Sequence, residues 1–222
     1  MLLVLIHFAV ELICSQNMPT LLPSFVYFDL ETTGLDIPTC KIVSISAICK
    51  DDAFHAFVNP SMPIPVEASR IHGIYDAEVA ECETWKTVGP RFMHWVLKAA
   101  GQTPVFVAYN CFRYDLLLLA MENSRLDASL FPAFENVYAA DPLVVARRVI
   151  KRNEVNGSYR LASLYKFLFD EEFAGAHTSQ ADVEALARVT MHDKLVKSVE
   201  ASAKRLKSNW MDSKIIKDIF QT

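Results

Sequence analysis

The segment SFVYFDLETTGL, residues 24–35, decides the fold. Ser24 to Leu30 is aromatic and β-branched, the composition of a strand, and Thr32-Thr33-Gly34 breaks it. Asp29 and Glu31 stand at the strand's C-terminal end. Side chains at i and i+2 of a strand project to the same face, so the two carboxylates point together. Like charges paired at the end of an apolar strand are unfavourable unless a cation neutralises them. Oxygen ligands of this kind suit a hard divalent ion, Mg²⁺ or Mn²⁺. Alone the pair is a weak signal, because Asp-x-Glu arises by chance about once in a chain of this length and a solvated strand end accounts for it.

Outward from this strand, Lys41 to Cys49 alternates with period two and Ala53 to Val58 follows a polar turn, which predicts a three-strand antiparallel meander. Residues 59–66 (NPSMPIPV) carry three prolines and read as an ordered loop. Trp85, Val88, Phe92, Trp95, Val96 and Ala99 share one helical face that ends at Gly101. Pro104 to Asn110 is a short strand with a buried helix from Asp115 to Met121 after it, and Val137 to Ala140 is a fifth strand with a helix through Ile150. Leu161, Leu164, Tyr165 and Leu168 mark a further helix, with Ser158 placed to cap it. The last helix starts near Ser179 and is expected to run past Lys204. A meander followed by strand–helix alternation predicts an α/β class, a mixed five-stranded sheet with helices on its faces. The expected division is an apolar segment over residues 1–23, one domain over 24–200 and a helical extension over 201–222.

The chain has 222 residues, 52% hydrophobic and 22% charged, enough to bury a full core. A net charge of −4 argues against a protein that coats long duplexes through a broad basic surface, but not against one that grips a few nucleotides. The five cysteines are odd in number, widely spaced and without a C-x-x-C pair, so buried free thiols in a reducing compartment are expected. Leu2 to Cys14 is apolar apart from His7 and Glu11, too short for a membrane span of about 20 residues. It has the length of a signal-peptide core, yet no Lys or Arg precedes it. Secretion and an intracellular protein whose working chain starts at Met18 both stay open; the intracellular reading, cytoplasm or nucleus, is favoured.

Three more polar residues stand out. Asp115 opens a helix whose next four residues are leucines, and Asp182 lies in the first turns of the last helix; charge placement at a helix N-terminus accounts for either one. His177 precedes Asp182 by five residues. Their order and spacing carry the weight. FDLETTGL (28–35), VAYNCFRYDLLL (107–118) and AHTSQADVEAL (176–186) together resemble the three motifs of the DEDDh, or DnaQ-like, 3′→5′ exonucleases of the ribonuclease-H-like fold. NPSMPIPVEASRIHGIYDAEV (59–79) resembles the loop and Ile-His-Gly-Ile element between the first two motifs, and SYRLASLYKFLF (158–169) the helix before the third. Asn110 to Asp115 (NCFRYD) and His177-Thr178 resemble the three-prime repair exonuclease (TREX) branch most, although Tyr109 replaces the usual histidine.

The resemblance implies a metal-dependent phosphodiesterase acting on nucleic-acid 3′ ends, single-stranded DNA ahead of RNA, to give nucleoside 5′-monophosphates. Asp29, Glu31 and Asp182 would hold one divalent ion, Asp29 and Asp115 would share in a second, and His177 would take the proton of the attacking water. Leu30, Thr33, Gly34 and Leu35 resemble elements that pack on the terminal base, with Ile71, His72 and Ile74 continuing that floor. Asn110 and Arg113 are candidates for phosphate or sugar contacts, and Tyr114 for packing near the scissile group. Arg147, Arg148, Lys151 and Arg152 form a basic cluster that reads more simply as a solvated helix face. The TREX resemblance also implies a homodimer. An exoribonuclease of the same family, and a non-catalytic module that binds nucleic-acid ends, are the competing readings.

Overall fold

The structure, a computed structural model, describes residues 24–173 and 178–206. The apolar N-terminal segment, His177 and most of the expected C-terminal extension lie outside the described residues. Six strands form one sheet in the order β3-β2-β1-β4-β5-β6. They are β1 (Ser24–Thr32), β2 (Ile42–Cys49), β3 (Asp52–Phe57), β4 (Pro104–Val107), β5 (Tyr138–Ala140) and β6 (Lys204–Arg205). The meander pairs β1, β2 and β3 antiparallel, while β1–β4 and β4–β5 are parallel. The helices are α1 (Val66–His72), α2 (Asp76–Val79), α3 (Trp85–Ala100), α4 (Asp115–Asn123), α5 (Pro142–Val149), α6 (Leu161–Phe169), α7 (Ser179–Met191) and α8 (Val196–Ser202).

The central strand explains the layering. Its even residues Val26, Phe28 and Leu30 enter one core with Phe92 and Met93 of α3 and Leu118 and Leu119 of α4. Its odd residues Phe25 and Tyr27 enter a second core with Leu164 of α6 and Leu186 and Val189 of α7. A sheet covered on both faces is the expected α/β class. Cys40, Cys49 and Cys111 are buried free thiols. Among the described residues no helix is long and apolar enough to cross a membrane.

Three expectations change. The last helix does not run past Lys204: α7 stops at Met191, where His192 turns to extended backbone (ψ 138°), and α8 follows. The chain then adds a sixth strand, Lys204–Arg205, antiparallel to β5. Two residues are too few to show a period, so this strand follows from backbone pairing alone. Ser158 does not cap α6, whose N-cap is Arg160 without a side-chain bond; its hydroxyl accepts the Arg160 N–H at 3.3 Å.

The sheet depends on apolar contact across β1 and β4. Phe106 is fully buried, edge-on to Phe28 with ring centres 5.7 Å apart. Phe106→Ala should lower the free energy of unfolding by about 3–5 kcal/mol in urea titration, as large aromatic truncations in packed cores do. A loss below about 1 kcal/mol would mean that the two strands are held by other means.

Candidate active site

Strand parity places the acidic pair. With Phe25 and Tyr27 in the second core, Asp29 and Glu31 continue the same face toward the strand end, where both are half-buried. The β1–β2 register shifts between Glu31 and Thr32, an irregularity that ends the flat pairing just past the pair. On that face lies α7, whose N-cap Thr178 accepts the Ala181 N–H at 3.3 Å. Its first turn carries Asp182. One carboxylate oxygen each from Asp29, Glu31 and Asp182 lie within 4.8 Å of one another. An oxygen-only donor set of this size fits a hard divalent cation.

The electrostatics agree with that fit. Burial, followed by the charges of Asp115, Glu31 and Asp182, holds the Asp29 carboxyl well above the usual carboxylate range. Glu31 is pushed up to about 8 by burial and then by Asp182 and Asp115. Asp115, the first residue of α4, is buried and raised to about 7, chiefly by desolvation; backbone hydrogen bonds at Asp115 and Leu30 oppose the rise. The four predicted acids are therefore brought to one place. Three make the tight group, and Asp115 flanks it closely enough to act on Asp29 and Glu31.

The fit depends on a residue whose role is not visible in the sequence. Asp141 ends β5, caps α5 and is buried. It accepts the N–H groups of Leu143 and Asn110, each at 3.0 Å. Asn110 sits in left-handed backbone (φ 64°), a conformation asparagine tolerates better than most residues. Asp141 thereby fixes the turn that leads into Asp115, and its charge adds to the rise there. Asp141-Pro142 carries a helix-start signature, but its bond to Asn110 is tertiary.

The expected base-packing surface divides in two. Leu35 (84% exposed) and Ile71 (63%) are available at the surface. Leu30, Thr33, His72 and Ile74 are buried, because each completes local structure. Leu30 joins the first core; Thr33 exchanges hydrogen bonds with Lys41; His72 Nδ1 accepts the Ile74 N–H at 3.1 Å; and Ile74 packs with Val43 and Ile64. Tyr114 braces the turn after β1, its hydroxyl meeting Thr32 Oγ1 at 2.6 Å and the Gly34 carbonyl.

Asn110 and Arg113 line a cleft of about 1120 Å³ together with Asp29 and Asp182. Arg147, Arg152 and Arg160 line it too, beside Tyr109, Tyr159 and Phe173. Half of the cluster read as a solvated helix face thus looks into the cleft. Arg147 reaches it from the last turn of α5, and the 150–160 turn holds Arg152: Arg152 Nε donates to the Gly157 carbonyl at 3.0 Å, and the Tyr159 hydroxyl to the Ile150 carbonyl at 2.7 Å.

Comparison with known proteins gives the family and the fold. Residues 26–190 match the family model described as Exonuclease. The chain is 28% identical to three prime repair exonuclease 2 of Mus musculus, over 76% of this chain and 83% of that protein. It is 26% identical to the DNA polymerase III subunit epsilon of Rickettsia prowazekii, over 74% of this chain and 71% of that one. Identity is also 26% to a PolC-type DNA polymerase III of Caldanaerobacter subterraneus, over 81% of this chain but only 12% of the polymerase. Its fold resembles that of the zinc-bound E. coli exonuclease I–single-stranded DNA complex (TM-score 0.61, 21% identity), covering 79% of this chain and 40% of the other. The ribonuclease-H-like architecture expected from the motifs is the one observed.

The raised carboxyls set a pH dependence. In the folded protein Glu31 and Asp115 keep protons up to about 8 and about 7, whereas their ordinary values are 4.5 and 3.8. The folded state binds more protons between these limits, so without metal its stability is full below about pH 4 and is lost as pH rises through about 7 to 8. The thermal midpoint of chelated protein should fall from about pH 5 to about pH 8.5, and excess Mg²⁺ should restore it most at the upper end. A chelated midpoint that is flat or rises over this window would show that the acids are not crowded.

Proposed function

The chain belongs to the exonuclease family, and on that footing we propose that it is a metal-dependent 3′→5′ exonuclease, releasing nucleoside 5′-monophosphates mainly from single-stranded DNA. The observation that carries the proposal is the meeting of carboxylate oxygens from Asp29, Glu31 and Asp182 within 4.8 Å, with Asp29 and Asp182 lining a cleft that four arginines also line. Asp29, Glu31 and Asp182 would hold one cation, and Asp29 with Asp115 a second. Two divalent ions there would supply Lewis acidity at the scissile phosphate and a more acidic attacking water. His177 would accept the proton of the attacking water, a general-base role that imidazole can fill at neutral pH.

The remaining residues bind and orient. Arg113, Arg147, Arg152 and Arg160 engage phosphates of the strand, and Asn110 the sugar–phosphate beside the reacting bond. Leu35 and Ile71 offer apolar surface to the terminal base, while Tyr114 holds the turn that presents Leu35. Such contacts read backbone and ring faces, so cleavage has little sequence preference. The homodimer implied by the TREX resemblance belongs to the same reading and is open to sedimentation velocity.

An oligonucleotide labelled at its 3′ end should release labelled mononucleotide at once with Mg²⁺ or Mn²⁺ and none with chelator, while a 5′ label stays on shortening chains. Labelled mononucleotide appearing first from the 5′ end would overturn the proposed polarity. Matched DNA and RNA strands decide the sugar, and an RNA preference would make the protein an exoribonuclease. Asp182→Ala should abolish hydrolysis; His177→Ala should slow it by about 10²–10⁴ with metal binding retained. Arg147→Ala and Arg152→Ala should raise KM and lower the salt slope of binding by about 0.7 for each phosphate that is no longer neutralised.

A further inference from the structure

Ser44 and Ser46 of β2 stand opposite the acidic pair: Glu31 registers with Ser44 and Asp29 with Ser46. Directly opposed residues share a sheet face, so both hydroxyls point toward α7 as the carboxylates do. Ser44, Ser46 and Ser179 are all buried. Ser179 Oγ lies between the other two, 3.0 Å from Ser44 Oγ and 2.8 Å from Ser46 Oγ. Ser46 Oγ is in turn 2.8 Å from Nδ1 of His55 on β3. With His55 accepting, three hydroxyl protons serve three bonds and none is left over.

Ser179 is the first residue of α7, and Asp182 follows at i+3 on the same helix face. The helix lies across β1 and β2, so the serine end is tied to β2 while the aspartate reaches the carboxylates of β1. Apolar packing of Leu186 and Val189 holds the helix against the sheet but tolerates small slides. Hydrogen bonds at 2.8–3.0 Å do not, because they weaken steeply with misalignment. We propose that Ser179, gripped by Ser44 and Ser46, is a positioning residue that fixes how far Asp182 reaches toward Asp29 and Glu31, and so sets the affinity for the divalent cation. The kinetic arm of this inference rests on the exonuclease reading; the metal-binding arm does not.

The test is Ser179→Ala and, separately, Ser46→Ala in the full chain. The readouts are Mn²⁺ affinity by electron paramagnetic resonance, kcat and KM on a single-stranded oligonucleotide, and thermal midpoint. Thr190→Val is the control, since Thr190 is buried in the same helix and its hydroxyl has no hydrogen-bond partner among the described residues. Both serine variants should weaken Mn²⁺ binding and lower kcat by about tenfold or more with KM unchanged, as losses of groups that orient metal ligands do. The control should match wild type in all three. Serine variants with a lower midpoint but wild-type Mn²⁺ affinity and kcat would reduce the network to a structural role. If Ser179→Ala does not fold, Ser46→Ala decides alone. A wild type that binds Mn²⁺ but releases no nucleotide would sink the exonuclease reading, and the serine inference would still stand or fall on the metal titration.

Discussion

Three carboxylate oxygens within 4.8 Å of one another, with a fourth acid close by, repel strongly in a partly buried setting. Without opposing forces α7 would lift from β1 and the acids would separate. The fold opposes this from several directions. β1 is central: residues 24–27 pair with β4 and residues 27–32 with β2, so Asp29 and Glu31 extend it past β4 while still paired with β2. The second core pins the apolar face of α7, and Asp141 locks the turn that delivers Asp115. Repulsion held in place by packing is what a cation relieves, and a preformed site needs little reorganisation when the ion arrives.

The period of a strand and the docking of a helix contribute differently to this arrangement. The parity of β1 was legible in Phe25, Tyr27, Asp29 and Glu31, because alternation is a local property of the backbone. The helix starts that carry Asp115 and Asp182 were legible for the same reason. That the acids converge came from motif order, since no single element contains that information. His177 was read from the same motif order and lies outside the described residues.

What could not be read locally depends on partners far along the chain. Asp141 looks like a helix cap until its bond to Asn110 is seen. Exposed Ile71 and buried Ile74 differ by three residues; only the docking of α1 beside Val43 and Ile64 separates them. Arg147 and Arg152 satisfy the pattern of a solvated helix face, yet both line the cleft, Arg147 from the last turn of α5 and Arg152 through its bond to Gly157 in the following turn. Ser44 and Ser46 fit the polar phase of an alternating strand, although both are buried; their partner lies about 135 residues away. Backbone pairing makes β6, which is too short to carry a pattern of its own.

The arginines share a cleft with the acids, yet among the described residues no salt bridge joins any of them to Asp29 or Glu31. A guanidinium in contact would pull those carboxyls down and take the place of the divalent ion. Asp29 and Glu31 are pushed above the usual carboxylate range by burial and by their acidic neighbours. Positive charge is instead held along the same cleft by Tyr159, Gly157 and the turn they belong to. On the proposed reading, a phosphodiester strand would satisfy both sides at once, its reacting phosphate facing the acids and the cation they would hold, and its other phosphates facing the arginines. Collapse of either side onto the other would leave a stable salt bridge and no site. On that reading, the separation is what would let a chain of net charge −4 hold a polyanion where its own acids gather.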